Sequence, residues 1–457
     1  MLLSLIYLGT LISISLIFIE TNRRKFLSPF LFIVLIYFAY YVLRSFVIYI
    51  NLDDMEPYFQ EHLFNVRHLE EALLLVSISF VFLYVGYKAG ISNKINKTYK
   101  IGVDFNIKNI NKLMTVNFLI FLIWFSIIIY KNTIDLVHYA GAYSVEERLA
   151  YGFPYILSLF STLSSFSFYF IMYIYFAYNI HKKYFIFALM AKLLIGVVGG
   201  DVLGLAFLLF SYVIIVIWGG RFGITRTILH FPRWKIVIYG FLSFFSLFAM
   251  YFFKVVSRRF SEIGIRPMYI FENFESAWVI LENISLSGIL SSMTSRFIGI
   301  DTLANIIGAI DLGVVEHKIG YIFYLLSIGL VPRFIFHDKP EIALAIWYTD
   351  NIWNTYVLEN GYQGTGMYIP GEFYLNFGAV GVVIGMLIYG YLLGLLYKVT
   401  FYNSYKMFSF VFISTMSIYY IIYEFTFSAW VIGFIRTYFM LYIYSILLLL
   451  LMKIRFK

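Results

Sequence analysis

The segment Ala379–Tyr397 reads AVGVVIGMLIYGYLLGLLY and contains no charged side chain. A helix rises about 1.5 Å per residue, so that about 20 apolar residues cross the hydrocarbon core of a bilayer. Similar runs recur along the whole chain of 457 residues, which is 61% hydrophobic and only 13% charged. An ordinary soluble domain carries about twice that charged fraction. The sequence therefore predicts an all-α, polytopic membrane protein.

About eleven apolar runs are long enough to be predicted as transmembrane helices. One apolar stretch is divided at Gly199-Gly200-Asp201, because it is too long for one crossing and paired glycines favour a turn. The predicted spans are Leu2–Ile19, Pro29–Ile50, Glu71–Tyr87, Leu113–Tyr130, Tyr155–Ile180, Phe185–Val198, Val202–Trp218, Ile236–Phe253, Ala379–Tyr397, Met407–Tyr423 and Val431–Leu451.

The loops between these spans alternate in charge. Basic residues such as Lys94, Arg226 and Lys453 gather in every second loop and at the C-terminus, whereas the opposite loops carry acidic residues such as Asp53 and Glu146. Basic loops remain in the cytoplasm. This predicts a multi-pass protein with its N-terminus outside and its C-terminus in the cytoplasm. The same rule explains the net charge of +9, so we expect no nucleic-acid partner.

The interval between Lys254 and Gly378 is too long and too rich in charge to be a span, and the charge alternation places it outside. The chain is thereby divided into three predicted parts. They are an N-terminal transmembrane bundle of about eight spans (1–253), a large extracytoplasmic loop (254–378) and C-terminal transmembrane helices of about three spans (379–457).

Two segments of this loop, Phe297–Ile310 and Gly320–Val331, are apolar but too short to cross the bilayer. Such segments are typical of re-entrant or interfacial helices. We therefore expect the loop to pack on the outer mouth of the bundle, where both lipid and water have access.

Basic residues are scarce on the predicted outer side, and most of them are arginines. Several planar guanidinium groups around a cavity would bind a diphosphate and stabilise its charge as it leaves. Each arginine could instead lie among lipid headgroups or pair with a loop carboxylate. The predicted diphosphate-binding residues are Arg296, Arg333, Arg258, Arg259, Lys339 and Arg148.

Candidates for a general base are Glu372, His337, Asp301 and Asp338. Glu372 lies among aromatic residues just before a predicted span, and partial desolvation would make its carboxylate a better proton acceptor. It could equally be a carboxylate at the N-terminal end of that helix, favoured by the helix dipole, or a structural partner for one of the arginines. Asp301 follows Arg296 closely and could be its salt-bridge partner. We name Glu372, His337 and Asp301 as the catalytic candidates.

The chain has no cysteine, and its histidines are scattered without metal-ligand spacing. We therefore expect neither a metal site nor a cofactor. Charged residues inside predicted spans are costly in lipid, so we expect them to face the interior of the bundle. They are Arg44, Lys192, Glu424 and Arg436.

Three motifs occur in and beside the long loop. Arg296–Asp301 has the form Arg-x-x-Gly-x-Asp, Val331–Arg333 is followed by Lys339-Pro340, and Gly371–Gly378 reads GEFYLNFG. They resemble the motifs of bacterial oligosaccharide repeat-unit polymerases, the Wzy-type O-antigen and capsule polymerases. One departure is Phe336–Asp338, which stands where aromatic-rich members often have Trp-Pro.

The resemblance implies a GT-C-like bundle that joins undecaprenyl-diphosphate-linked oligosaccharide repeats on the outer leaflet of the bacterial inner membrane. The lipid bilayer and a chain-length regulator protein are the implied partners. The arginines would bind the diphosphate leaving group, and Glu372 would be the base or would orient it. Tyr368 and Tyr374 are expected to bind the sugar.

Other functions stay open at this stage. An O-antigen ligase-like transferase would differ only in its acceptor. A flippase for the same lipid-linked repeats would carry its charges deep in the spans and have short loops on both sides, whereas here the charges gather in one outer loop. A membrane acyltransferase usually has an intramembrane His, which this sequence lacks.

Overall fold

A computed structural model describes residues 1–23, 29–51, 63–92, 99–105, 109–138, 154–198, 219–224, 298–331, 336, 344–352, 366–421 and 426–453. Most of these residues are helical, and the one β interaction found among them is an isolated bridge between Tyr99 and Asn403. The prediction of an all-α protein is confirmed for this part of the chain.

Apart from the short helix Ala345–Asn351, each helix corresponds to a predicted span or to one of the two short apolar segments. In chain order they are α1 (Leu2–Arg23), α2 (Pro29–Tyr37), α3 (Arg44–Ile50), α4 (Val66–Ser92), α5 (Ile110–His138), α6 (Pro154–Tyr178), α7 (Lys182–Val198), α8 (Gly299–Asp311), α9 (Tyr321–Gly329), α10 (Ala345–Asn351), α11 (Tyr368–Phe401), α12 (Lys406–Ile421) and α13 (Phe427–Lys453). A π-helical turn, Phe38–Leu43, joins α2 to α3, and Gly219–Phe222 forms a 3-10 turn.

Six helical segments in the described ranges are long and apolar enough to cross a membrane: Leu2–Glu20, Ile33–Ile50, Val66–Ser92, Ile110–Ile127, Tyr368–Phe401 and Phe427–Met452. They coincide with six of the predicted spans and indicate a multi-pass membrane protein. The total of about eleven spans stays a prediction. The predicted spans Val202–Trp218 and Ile236–Phe253 lie outside the described residues.

Helices α4 and α11 pack against each other through glycines. A β-carbon added at Gly390 would lie 2.0 Å from the carbonyl oxygen of Leu83, and one added at Gly86 would lie 2.1 Å from that of Leu387. Gly90 and Gly394 extend the same contact by one helical turn. The spacing is the small-xxx-small pattern that lets membrane helices approach closely. Gly390 contacts Leu83, and Gly394, one turn later, contacts Tyr87, also one turn later, so the two helices run parallel.

The loop helix α8 is buried between α4 and α11. All residues from Gly299 to Ala309 are buried. The helix ends where Gly313 takes a left-handed conformation (φ 70°), with Val314 N–H donating to Ala309 O and Gly313 N–H to Ile310 O. This is the Schellman pattern that glycine favours. Such burial is compatible with a re-entrant helix, whose unpaired terminal N–H and C=O groups must be kept away from lipid, but the re-entrant position itself stays a prediction.

Helix α9, by contrast, presents apolar side chains to the surroundings. Phe323 is 64% exposed, and Ile319 just before the helix is 81% exposed. The helix contacts α13 and α11 on its other side. An exposed apolar face on a short helix is compatible with an interfacial helix, and the interfacial position of this segment stays a prediction.

Helix α11 is divided by a kink at Gly378, whose backbone angles (φ 64°, ψ −158°) are not helical. This conformation is essentially restricted to glycine. The kink separates residues 368–377, which contact α8, from the membrane-length part that begins at Ala379. The predicted start of this span coincides with the kink.

Candidate functional site

Asp301 forms a buried ion pair with Arg44. Arg44 Nε donates to Asp301 Oδ2 at 3.0 Å and Arg44 Nη2 to Oδ1 at 2.9 Å, and both side chains are almost fully buried. This is the two-pronged geometry in which a guanidinium binds a carboxylate most strongly. It confirms that Arg44 faces the interior. Both Asp301 oxygens are engaged, so the pair holds the first turn of α8 against α3.

Arg44 follows directly on the π-helical turn. Such turns are rare and frequently occur at functional sites. The turn brings Tyr41 against α8, where a β-carbon added at Gly299 would lie 3.1 Å from the tyrosine ring. It also places the Tyr40 ring 5.5 Å from that of Tyr368, in an edge-on arrangement.

Tyr368 itself has a positive φ of 61°. A tyrosine rarely adopts this left-handed conformation, which costs about 1–3 kcal/mol and is often found at functional sites. Tyr368 is buried at the first residue of α11. It therefore contacts protein in this structure, and its predicted role in binding sugar stays a prediction.

The polar face of α8 continues one turn beyond Asp301. Asn305 Nδ2 donates to the phenol oxygen of Tyr348 at 3.1 Å, and Asn305 Oδ1 accepts the backbone N–H of Leu63 at 2.9 Å. Burial raises the pKa of Tyr348 well above its ordinary value, and hydrogen bonds with Asn305 and Thr302 oppose this shift. The phenol stays neutral, and this network joins α8 to α10 and to the residues before α4.

Glu372 is completely buried at the contact between α11 and α13. Its Oε2 accepts the backbone N–H of Ser428 at 3.0 Å, and its Oε1 accepts the Ser428 hydroxyl proton. Ser428 lies in the first turn of α13, so the carboxylate satisfies N–H groups that every helix leaves unpaired at its start. The helix start that Glu372 contacts is that of α13 and not that of α11, in which the residue itself lies, so this partner differs from those considered from the sequence.

Asn376 connects the same helix to α9. Its Nδ2 donates to the carbonyl oxygen of Glu372 at 2.9 Å, and its Oδ1 accepts the backbone N–H of Ile322 at 2.9 Å. The Glu and Asn of the GEFYLNFG motif thus fix residues 368–377 to α13 and α9. Tyr374 of the same motif is buried, with its ring 5.8 Å from that of His317.

Lys318, in the turn between α8 and α9, was not identified from the sequence. Its Nζ lies 3.9 Å from the ring centre of Trp347 and 5.0 Å from that of Tyr321. Partial burial lowers the pKa of Lys318 and raises that of Tyr321. The only signal in the sequence was a lysine next to a tyrosine-rich segment, because Trp347 comes from a distant part of the loop.

The other predicted site residues lie outside the described residues, so the diphosphate site stays a prediction. These residues are Arg296, Arg333, Arg258, Arg259, Lys339, Arg148 and His337.

The remaining charges inside spans have different surroundings. Lys192 is half-buried, with its ammonium 4.3 Å from the ring centre of Trp124, which agrees with an interior position. The prediction for Arg436 is wrong: its side chain is exposed on α13, between the exposed side chains of Ile435 and Phe439. Glu424 lies outside the described residues.

The chain matches no known protein family, no curated protein and no solved structure. Across the described ranges, no group of three or more His, Asp or Glu side chains is arranged to hold a metal ion.

Proposed function

We propose that this chain joins undecaprenyl-diphosphate-linked oligosaccharide repeat units into O-antigen or capsule on the outer leaflet of the bacterial inner membrane. The observation that carries the proposal is the meeting of two motif segments. Asp301 opens the buried helix α8, and Glu372 lies in residues 368–377 of α11, where Gly371 lies close to Ile306 of α8. Both segments belong to motifs that resemble those of Wzy-type polymerases.

The proposed reaction transfers the growing chain from its lipid diphosphate to an incoming lipid-linked repeat. A sugar hydroxyl of the incoming repeat attacks the anomeric carbon of the growing chain. The bond from this carbon to the diphosphate oxygen breaks, and the diphosphate leaves with the electron pair. The hydroxyl proton passes to a base. Guanidinium groups that bind the diphosphate stabilise the charge that develops on it.

Arg296 and Arg333 are the proposed principal ligands of the diphosphate. Arg296 comes three positions before the first residue of α8 in the sequence, and the Asp301–Arg44 ion pair fixes the start of that helix. Asp301 is fully engaged in that pair, which favours a positioning role over proton abstraction.

Glu372 is proposed as the base or as the residue that orients it. Its carboxylate receives two hydrogen bonds from Ser428 and has no exposed surface, which favours the orienting role. A substrate hydroxyl that donates to the carboxylate would compete with these hydrogen bonds. Two further candidate bases, His337 and Asp338, precede α10 in the sequence.

The proposed topology is supported by the relative directions of three helices. The N-terminal ammonium of Met1 lies 3.7 Å from Glu70, and Lys88 contacts Glu20 at the other end, so α1 and α4 run parallel. Helix α11 runs parallel to α4. In the predicted order these are the first, third and ninth spans, which must share one direction if the spans alternate.

Deletion of the gene and complementation with variants would test the proposal. Surface polysaccharide is separated on a gel, where a polymerase gives a ladder of chain lengths. The deletion strain is expected to keep single repeats attached to the surface and to lose the ladder. Arg296→Lys and Arg333→Lys are expected to abolish the ladder without lowering the amount of protein in the membrane. Arg67→Lys, an exposed position at the start of α4, is the matched control.

The same gel separates the alternatives. Loss of all attached repeats in the deletion strain would indicate a flippase or a ligase and would overturn the polymerase proposal. Normal ladders from both arginine variants would overturn the diphosphate site but would leave polymerisation itself intact.

A further inference from the structure

The ammonium of Lys318 has aromatic neighbours but, within the part of the chain that the structure describes, no carboxylate in ion-pair contact. Acidic residues are present on the same elements, Glu316 before the lysine and Asp350 on α10, and both are exposed. A partly desolvated ammonium is stabilised by a hydrogen-bonded anion. The site is therefore suited to an anionic ligand.

The position of Lys318 is fixed by the backbone. Its N–H donates to the carbonyl oxygen of Leu375 at 2.9 Å, and Tyr321 N–H donates to the carbonyl oxygen of Lys318 at 3.0 Å. Gly320 supplies the left-handed residue (φ 75°) that turns the chain into α9. The lysine therefore lies at the contact between the start of α9 and the part of α11 before the kink.

An exposed apolar face leads from Lys318 along α9 to α11. Ile319 and Phe323 are exposed, and the Phe323 ring lies 6.2 Å from the partly exposed ring of Phe377. Beyond the kink, exposed aliphatic side chains continue this surface along the membrane-length part of α11: Val380, Ile384 and Ile388. Apolar side chains on such a surface contact acyl chains, so the path joins lipid to the ammonium.

We propose that Lys318 binds the phosphate headgroup of an anionic lipid whose chain lies against Ile319 and Phe323. Tryptophan and tyrosine favour the headgroup level of a bilayer, and a lysine among them reaches lipid phosphates. The ligand class is a lipid phosphate or diphosphate. The proposal goes beyond the transfer reaction, because such binding needs no sugar and no catalysis.

Calorimetric titration of the full chain in a neutral detergent tests the site with three probes. Farnesyl diphosphate carries both the headgroup and a chain, inorganic diphosphate carries only the headgroup, and farnesol only the chain. We expect the chain to bind farnesyl diphosphate more tightly than either of the others. Lys318→Gln should weaken this binding by about 10- to 100-fold, the loss of one charge-assisted hydrogen bond, and Lys318→Arg should retain most of it. Lys183→Gln, an equal charge change on the exposed start of α7, should leave it unaltered.

A second variant tests the apolar part of the site. Phe323→Ala should weaken the binding of farnesyl diphosphate and farnesol but not that of inorganic diphosphate, and it should fold because the ring is largely exposed. Equal affinity for inorganic and farnesyl diphosphate, with both lost in Lys318→Gln, would show a free-phosphate site and overturn the lipid assignment. Unchanged binding in Lys318→Gln would overturn the whole proposal. None of these results depends on whether the chain polymerises repeats.

Discussion

Replacing Gly390 by alanine would test the parallel contact between α4 and α11. The new β-carbon would lie 2.0 Å from the carbonyl oxygen of Leu83, whereas real β-carbons essentially never come closer than 3.0 Å to such an atom. Because the obstacle is backbone, no change of rotamer relieves it. The two helices would have to separate by about 1 Å, a gap that forfeits up to about half of the dispersion energy at each contact.

The expected loss of stability follows from two opposing effects. Overpacking of a fixed interface costs about 1–3 kcal/mol, and a clash with backbone favours the upper end of that range. Alanine regains roughly 1 kcal/mol through its higher helix propensity. We therefore expect Gly390→Ala to lower the free energy of unfolding by about 2 kcal/mol.

Stability would be measured on purified protein in mixed micelles of a mild and a denaturing detergent. Circular dichroism would follow the helix content as the fraction of denaturing detergent is increased. Gly219→Ala is the matched control, because its β-carbon would meet Ile224 at an ordinary 3.4 Å. The double variant Gly86→Ala/Gly390→Ala should lose less free energy of unfolding than the sum of the losses in the two single variants. A single separation of the helices relieves both clashes. A Gly390→Ala protein within about 0.5 kcal/mol of the parent would refute the close contact.

Three further predictions use the same unfolding measurement. Asp301→Ala should cost about 3–5 kcal/mol because it leaves Arg44 buried without its carboxylate, and an Arg44→Met/Asp301→Leu double variant should be much closer to the parent; equal losses in both would contradict the ion pair. Ser428→Ala should lower the free energy of unfolding by about 1–3 kcal/mol, because it removes a hydrogen-bond donor to Glu372. In a Glu372→Leu background the same substitution should cost distinctly less, and an unchanged cost would exclude the hydrogen bond. Gly378→Ala should cost about 1–3 kcal/mol from backbone strain, and a stabilised protein would argue against the kink.

The helices of the fold were largely predictable, since a bilayer imposes length and apolarity on any segment that crosses it. The prediction Pro29–Ile50 has the same bounds as the segment from α2 to α3, because Pro29 suits a first helical position and the apolar run ends at Asn51. The π-helical turn inside it was not predictable. The ring of Tyr41, within that turn, packs against Gly299, a residue far away in the sequence.

The sequence indicates which residue types belong to the candidate site, but it does not indicate which residues they contact. Glu372 was identified from its motif, but its hydrogen bonds come from Ser428, which no spacing connects to it. The glycines of the α4–α11 contact have a recognisable spacing, Gly86-x-x-x-Gly90 and Gly390-x-x-x-Gly394. The spacing predicts that each helix has a close neighbour, but it does not say that the two helices contact each other. Arg44 was expected inside the bundle because lipid excludes its charge, but nothing local indicated Asp301.

The ion pair of Arg44 and Asp301 also affects how the protein can be made. The two residues are separated by 257 positions, so Arg44 is synthesised and inserted long before its carboxylate leaves the ribosome. Throughout that interval the second span carries a guanidinium without this partner, at a site where lipid is a poor solvent for it. Until α8 is made, the charge of Arg44 has to be compensated by water or by other polar groups. Translation arrest at defined chain lengths would test this. In nascent chains that end before residue 301, the second span should leave the membrane readily. In chains that extend beyond α8, the second span should stay inserted.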